Sequence, residues 1–164
     1  MHTNVNLVKL TDGQTINVSP ITERIYLGGI VYDGECLKRF VEEYDIGAIV
    51  SVWDDDMLRV QQLGIAPSDY LYIYAHDDQI TNIMQHFETV YNFIRQKVDD
   101  EHKNVYVHCH AGLSRSASVL IYYFMKHYGI GVSEAYRIVN SKRRIRPNDS
   151  FLRQLQMAES SIEF

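Results

Sequence analysis

Residues 105–116 restrict the folds open to this chain more than any other stretch. They read Val105-Tyr106-Val107-His108-Cys109-His110-Ala111-Gly112-Leu113-Ser114-Arg115-Ser116. A β-branched, apolar run stops at a cysteine. A short turn with a glycine, two serines and an arginine follows, and residues 114–127 then continue with helical character and almost no polar face. A helix that is apolar nearly all round has to be central and covered. A strand leading straight into such a helix belongs to an α/β layer architecture rather than to an open sheet or a bundle.

The remaining segments fit that architecture. Strands are predicted over residues 24–27, 46–53, 70–75 and 104–108, with bulky residues on both faces of the second and third, as in a sheet covered on both sides. Leu37, Phe40 and Val41 place a helix over 33–44. Ile83, Phe87, Val90 and Ile94 recur at three- and four-residue steps and predict a long helix over 81–98. Gly129 ends the central helix, Ser133 is the expected N-cap of the next, and Pro147-Asn148-Asp149 break the chain before a last helix. Tyr70, Tyr72 and Tyr74 are read as sheet packing. At 164 residues this is one domain with a real core. A polar N-terminal segment is expected over 1–20, and the folded unit over 21–164.

Several functional classes are disfavoured by composition. The longest apolar stretch, residues 117–125, is far too short to span a bilayer, and the chain starts without the basic-then-apolar pattern of a signal peptide. Two cysteines, Cys36 and Cys109, are then expected as free thiols in a reducing, cytoplasmic or nuclear setting. Cys36 is expected in or near the core, and the sequons at Asn17 and Asn148 are chance matches. A net charge of −5 does not attract a long polyanion, so nucleic acid is not an expected partner. Asp54, Asp55 and Asp56 read as a solvated loop. The run Lys142-Arg143-Arg144, with Arg146 beyond, reads first as a solvated helix end.

The turn after the strand has a definite chemistry. Backbone N–H groups from His110 through Arg115 can curl round one point, because Gly112 accepts backbone angles that other residues resist. The following helix presents its positive end to the same point, and Arg115 adds a planar cationic fork matched to two phosphate oxygens. A free thiol, with an ordinary pKa of about 8.5, needs about 3–4 kcal/mol of preference for its anion to be mostly thiolate at neutral pH. A helix dipole contributes about 0.3–1 kcal/mol, and about 2 in partly buried geometries. Loop hydrogen bonds and a nearby cation must therefore supply the rest. Donors that hold a thiolate also hold the oxygens of a phosphoryl group under attack. Residues His108-Cys109-His110 lack the paired spacings of a zinc site, so no metal and no cofactor is expected.

The pattern His108-Cys109-x-Ala111-Gly112-x-Ser114-Arg115-Ser116 resembles the signature loop of cysteine-dependent protein phosphatases, and of their small, atypical dual-specificity branch in particular. The resemblance runs from about Ile21 to about Leu155. It implies a single-domain α/β fold with a mainly parallel central sheet flanked by helices, the loop lying between a buried strand and the central helix. It further implies that Cys109 is the nucleophile and that Arg115 clamps the phosphate within the loop His110, Ala111, Gly112, Leu113, Ser114 and Arg115. Ser116 would assist release of the cysteine sulfur, and His108 would be a supporting neighbour. The general acid would lie on His76-Asp77-Asp78-Gln79; Asp77 aligns best, and Asp78 competes with it. Arg143 falls where relatives have a basic residue able to meet a second phosphate.

The implied activity is hydrolysis of phosphotyrosine and phosphoserine or phosphothreonine in proteins through a phosphocysteine. Action on RNA 5′ ends or phosphoinositides is a rival. The loop disfavours it, having His110 and Leu113 where lipid-directed relatives carry lysines, and Arg115-Ser116 where RNA-directed ones carry Arg-Thr. A non-catalytic phosphate-binding module is the other rival; such proteins usually lose the nucleophile, clamp or acid, and candidates for all three are present.

Overall fold

The alternation of apolar side chains along the strands determines how the layers stack. In the computed structural model, which describes residues 6–162, five strands form one sheet in the order β1-β2-β5-β3-β4. These are β1 (Val18–Pro20), β2 (Ile25–Gly28), β3 (Ile46–Trp53), β4 (Tyr70–Tyr74) and β5 (Asn104–His108). Only β1 runs antiparallel to its neighbour; the other pairings are parallel. Successive strand residues face opposite sides. Ala48, Val50 and Val52 of β3 and Val105 and Val107 of β5 accordingly enter one core, while Ile49 and Tyr106 enter the other.

The larger core lies under helices α2 (Phe87–Arg95), α3 (Arg115–Tyr128), α4 (Val132–Lys142) and α5 (Asp149–Glu159), with α3 packed against the other three. From Arg115 through Met125 every residue of α3 is buried, as its near-continuous apolar character requires. The smaller core lies under α1 (Gly34–Glu43), whose Leu37, Phe40 and Val41 face Tyr106 and Ile49. Asp33 caps α1 by accepting the N–H groups of Glu35 and Cys36. Cys36 is buried there, with its thiol turned to the side-chain carbonyl of Gln14.

Four expectations are corrected. Tyr70, Tyr72 and Tyr74 lie on an edge strand: Tyr70 packs on the smaller core as expected, but Tyr72 is only partly covered and Tyr74 is 60% exposed. The helix expected over 81–98 is shorter: a 3₁₀ turn at Met84–His86 leads into α2, and a π turn at Gln96–Asp100 ends it. Gln154 holds the preceding segment instead, accepting from Met84 N–H and donating to the Thr81 carbonyl. Gly131, not Ser133, precedes α4, because the Glu159 carboxylate accepts the first helical N–H from Val132 at 2.6 Å. Finally, the polar segment expected over 1–20, apart from the folded unit, is packed into that unit where it is described, from residue 6 on. Val8, Leu10, Ile16 and Val18 are buried in the smaller core, and β1 belongs to the sheet.

Parallel register aligns the carboxyl ends of the strands. Gly28 pairs with His108, Ser51 with His108, and Trp53 with Tyr74. The residues just past these ends, Gly29, Cys109, Asp54 and His76-Asp77, therefore emerge along one edge. This is where ligands bind in open α/β sheets.

Candidate active site

Cys109 lies at the bottom of a cleft of about 450 Å³, with the residue only 2% exposed. Its Sγ accepts the N–H of Gly112 at 3.2 Å and lies 3.0 Å from the Ser116 hydroxyl. Gly112 turns the chain with a φ of +74°, in the left-handed region that glycine adopts without strain. The loop carbonyls are tied on the outer side. His110 O accepts from Ile30 N–H at 3.0 Å, Leu113 O from Arg146 N–H at 2.7 Å, and Ser114 O from Ser118 N–H at 2.8 Å. In a trans peptide the N–H points away from its own unit's carbonyl. A carbonyl tied outward turns the N–H of its unit inward, and of the loop N–H groups Gly112's is the one that reaches the sulfur.

Arg115, at the start of α3, reaches over this cradle. Its Nη1 donates to the Asp54 carboxylate at 2.9 Å and to the Ala75 carbonyl at 3.0 Å. Its Nε is buried and has no partner. An unpartnered buried donor is costly, and here it is one edge of a guanidinium beside the thiol, ready for an oxyanion. Asp54 is held ionised below the usual carboxylate range, chiefly by the Arg115 hydrogen bond.

His108 is fully buried behind the thiol. Burial pushes it down to about 4, so the ring is neutral. Its Nδ1 lies 3.0 Å from the Cys109 carbonyl and must donate there; Nε2, 2.5 Å from Ser51 Oγ, then accepts from the serine hydroxyl. Tyr70 donates in turn to Ser51 at 2.9 Å. The chain Tyr70–Ser51–His108 fixes the strand end that presents the cysteine.

Across the cleft, Asp77 and Asp78 have different surroundings. Asp77 is exposed and lines the same cleft as Cys109, and its Oδ1 accepts from the Ser114 hydroxyl and from Asn148 Nδ2, both at 2.8 Å. Asp78 spends Oδ1 on the N–H groups of Ile80 and Thr81 and on the Thr81 hydroxyl, which closes a turn and holds its carboxyl below the usual range. A buried thiol, an arginine fork and a carboxylate thus line one cleft. Residues 25–161 match the family model described as the dual specificity phosphatase catalytic domain. The chain belongs to the dual-specificity phosphatase family.

Two relatives and one solved structure match this phosphatase along most of their length. It is 40% identical over 146 residues to AMV078 of Amsacta moorei entomopoxvirus, named for a tyrosine-protein phosphatase, with 88% of each chain covered. Dual specificity protein phosphatase 1B of Arabidopsis thaliana is 31% identical over 161 residues, 96% of this chain and 90% of that one. The crystal structure of the Cydia pomonella PTP-2 phosphatase superposes with a TM-score of 0.81 at 31% identity, covering 86% of this chain and 89% of that one.

The phosphatase departs from expectation at Arg143. A contact to a second phosphate needs an open guanidinium, and Arg143 is 1% exposed. It lies behind the loop, donating to the carbonyls of Gly112 and Ala111, to Ser19 Oγ and to Asn17 Oδ1. Arg146 is the basic residue of that run that lines the cleft. Four residues with no local signal in the sequence also join the site: Asp54 on Arg115, Ser51 on His108, Asn148 on Asp77, and Asn17 on the Ala111 carbonyl at 3.1 Å. No cluster of His, Cys, Asp or Glu suited to a metal ion occurs among the described residues. None of the described helices is long and apolar enough to cross a membrane.

Proposed function

We propose that this phosphatase hydrolyses phosphotyrosine and phosphoserine or phosphothreonine in phosphoproteins through a phosphocysteine on Cys109. The observation that supports it best is the placing of one thiol against Gly112 N–H and Ser116 Oγ at the bottom of a cleft that Asp77 also lines.

In the first step the Cys109 thiolate attacks phosphorus while the P–O ester bond breaks. Asp77, as the carboxylic acid, gives its proton to the leaving oxygen. The inward N–H groups and the Arg115 fork hold the three equatorial oxygens, where charge gathers in the transition state. In the second step water attacks phosphorus, the Asp77 carboxylate takes a water proton, and the P–S bond breaks. The Ser116 hydroxyl hydrogen-bonds the departing sulfur. Products are the dephosphorylated side chain and inorganic phosphate. Asp77 is preferred to Asp78 because Asp77 lines the cleft with Cys109, whereas Asp78 is turned to close the 78–81 turn. Arg146, exposed on the rim, is the cation placed to meet acidic groups flanking the phosphoresidue.

The test is a set of initial rates on matched phosphotyrosine and phosphothreonine peptides, an RNA 5′-triphosphate and a phosphoinositide, with Cys109→Ser as control. Turnover of both peptides above the other two, abolished in Cys109→Ser, is the expected result. Turnover retained in Cys109→Ser would sink the mechanism, and a preference for RNA or lipid would sink the substrate class.

A further inference from the structure

Arg143 heads the large side chains that this fold buries completely, and each of its hydrogen-bond acceptors is neutral. Nε donates to Gly112 O at 2.9 Å, Nη2 to Asn17 Oδ1 at 2.6 Å and to Ala111 O at 3.1 Å, and Nη1 to Ser19 Oγ at 3.1 Å. Buried cations normally come with a carboxylate. Arg115 obeys that rule, with Asp54 at 2.9 Å. Of the two guanidiniums beside the phosphate cradle, the one in front is neutralised in the free enzyme and the one behind is not.

We propose that Arg143 is a positioning residue that supplies, from behind the loop, the uncompensated positive charge favouring the Cys109 thiolate, and that it aims two loop amides at the sulfur. The proposal rests on the reading of Cys109 as the nucleophile.

The geometry gives the route. No described peptide bond is cis. Arg143 Nη2 and Asn17 Nδ2 hold the Ala111 carbonyl from behind, so the N–H of that same peptide unit, which belongs to Gly112, points forward, and it meets Sγ at 3.2 Å. Arg143 Nε holds the Gly112 carbonyl and turns the Leu113 N–H to the same side. Donors on the carbonyl end polarise each amide and strengthen its N–H as a donor. The Arg143 charge thus acts on the sulfur both directly and through these peptide units, in an interior where water screens poorly.

The other groups facing the thiol do not replace this charge. Ser116 and the Asp54-paired Arg115 face it from α3. From β5, His108 is neutral near pH 7, and burial pushes the Tyr106 phenol up, so it too is neutral. His110 is its neighbour in the chain, and Asp77, across the cleft, brings no positive charge.

The experiment follows the rate of Cys109 alkylation by iodoacetamide against pH, with peptide mass mapping so that Cys36 is counted separately. Arg143→Gln is expected to move the midpoint of that profile up by about one pH unit or more. Asn17→Asp puts a carboxylate on the guanidinium in place, at a contact that is 2.6 Å in the native protein, and is expected to move the midpoint in the same direction. Asn17→Ala removes one loop donor without altering charge; it should lower kcat and move the midpoint by clearly less than Asn17→Asp does.

A midpoint unmoved in Arg143→Gln or in Asn17→Asp overturns the proposal, as does an equal shift in Asn17→Ala. Should Arg143→Gln fail to fold, the Asn17→Asp and Asn17→Ala pair decides alone. Alkylation needs no phosphorylated substrate, so an error in the substrate class leaves this result intact.

Discussion

The Ser114 hydroxyl donates to Oδ1 of Asp77 at 2.8 Å, so the residue that opens the central helix also holds the carboxylate on the opposite wall of the cleft. Asn148 closes the triangle. Its Nδ2 donates to the same oxygen, and its backbone N–H donates to Ser114 Oγ at 3.0 Å. The loop around Cys109, the loop after β4 and the start of α5 thus meet on one carboxylate oxygen, and the proposed mechanism assigns the transferred proton to the other, Oδ2.

Asp77→Asn keeps the acceptor and loses the proton. It should lower kcat on phosphotyrosine peptides by about 10²–10⁴, and by less on aryl phosphates with good leaving groups, which need little protonation. Asp78→Asn keeps the oxygen that closes the 78–81 turn and should leave kcat near the native value. Steady-state rates across a leaving-group series decide the matter; the opposite pattern would transfer the acid role to Asp78.

Asp54 fixes one nitrogen of Arg115 and leaves Nε unpartnered, the edge that the proposed mechanism turns to phosphate. Asp54→Asn should lower kcat/KM by about tenfold, the loss of roughly one charge-assisted increment of about 1.4 kcal/mol. The inhibition constant for tungstate, which probes the fork without chemistry, should weaken in parallel. An unchanged kcat/KM would mean that the Ala75 carbonyl holds the guanidinium unaided.

How much of this site the sequence discloses depends on how far apart its parts lie. The strand, the turn and α3 are contiguous, so the periodicity and loop chemistry of residues 105–127 disclose the thiol, the fork and the central helix together. Asn17, Ser51, Asp54 and Asn148 come from four distant segments. Parallel register and the packing of β1 and α5 bring them in, and neither leaves a local pattern.

Arg143 did leave one. Arg143, Ile145 and Pro147 are buried, while Lys142, Arg144 and Arg146 are exposed. That period-two alternation marks an extended segment with one face inward, and a reading of the run as charge alone averages it away. The same averaging hides Val8, Leu10, Ile16 and Val18 in a start that looks polar overall.

The buried His108 links stability to pH. Its folded value of about 4 is below the ordinary 6.5, so between these limits the unfolded chain binds a proton that the folded one excludes. Its contribution is whole above about pH 6.5 and is lost as pH falls toward 4, by at most about 1.4 kcal/mol per pH unit. Urea unfolding of the native protein and of His108→Gln, compared from pH 7 to pH 4, should show a shallower loss in the variant. Parallel curves would mean that the imidazole titrates normally.

Gly112 is the position at which a single methyl group tests the loop. A Cβ built there lies 2.6 Å from Arg143 Nη2 and 2.4 Å from the backbone carbon of Gly28, and φ is +74°. The Gly28 contact is with backbone and cannot swing away, so Gly112→Ala has to displace the turn itself. Strain of this backbone type costs about 1–3 kcal/mol, which a core of this size survives, so the variant should fold with a lowered melting temperature. Activity should suffer far more, because the displaced residue carries both the N–H that reaches Cys109 and a carbonyl that Arg143 holds. Circular dichroism melts beside kcat on an aryl phosphate separate the two effects. Near-native kcat in a folded Gly112→Ala would show that the amide at 112 is not needed at the sulfur.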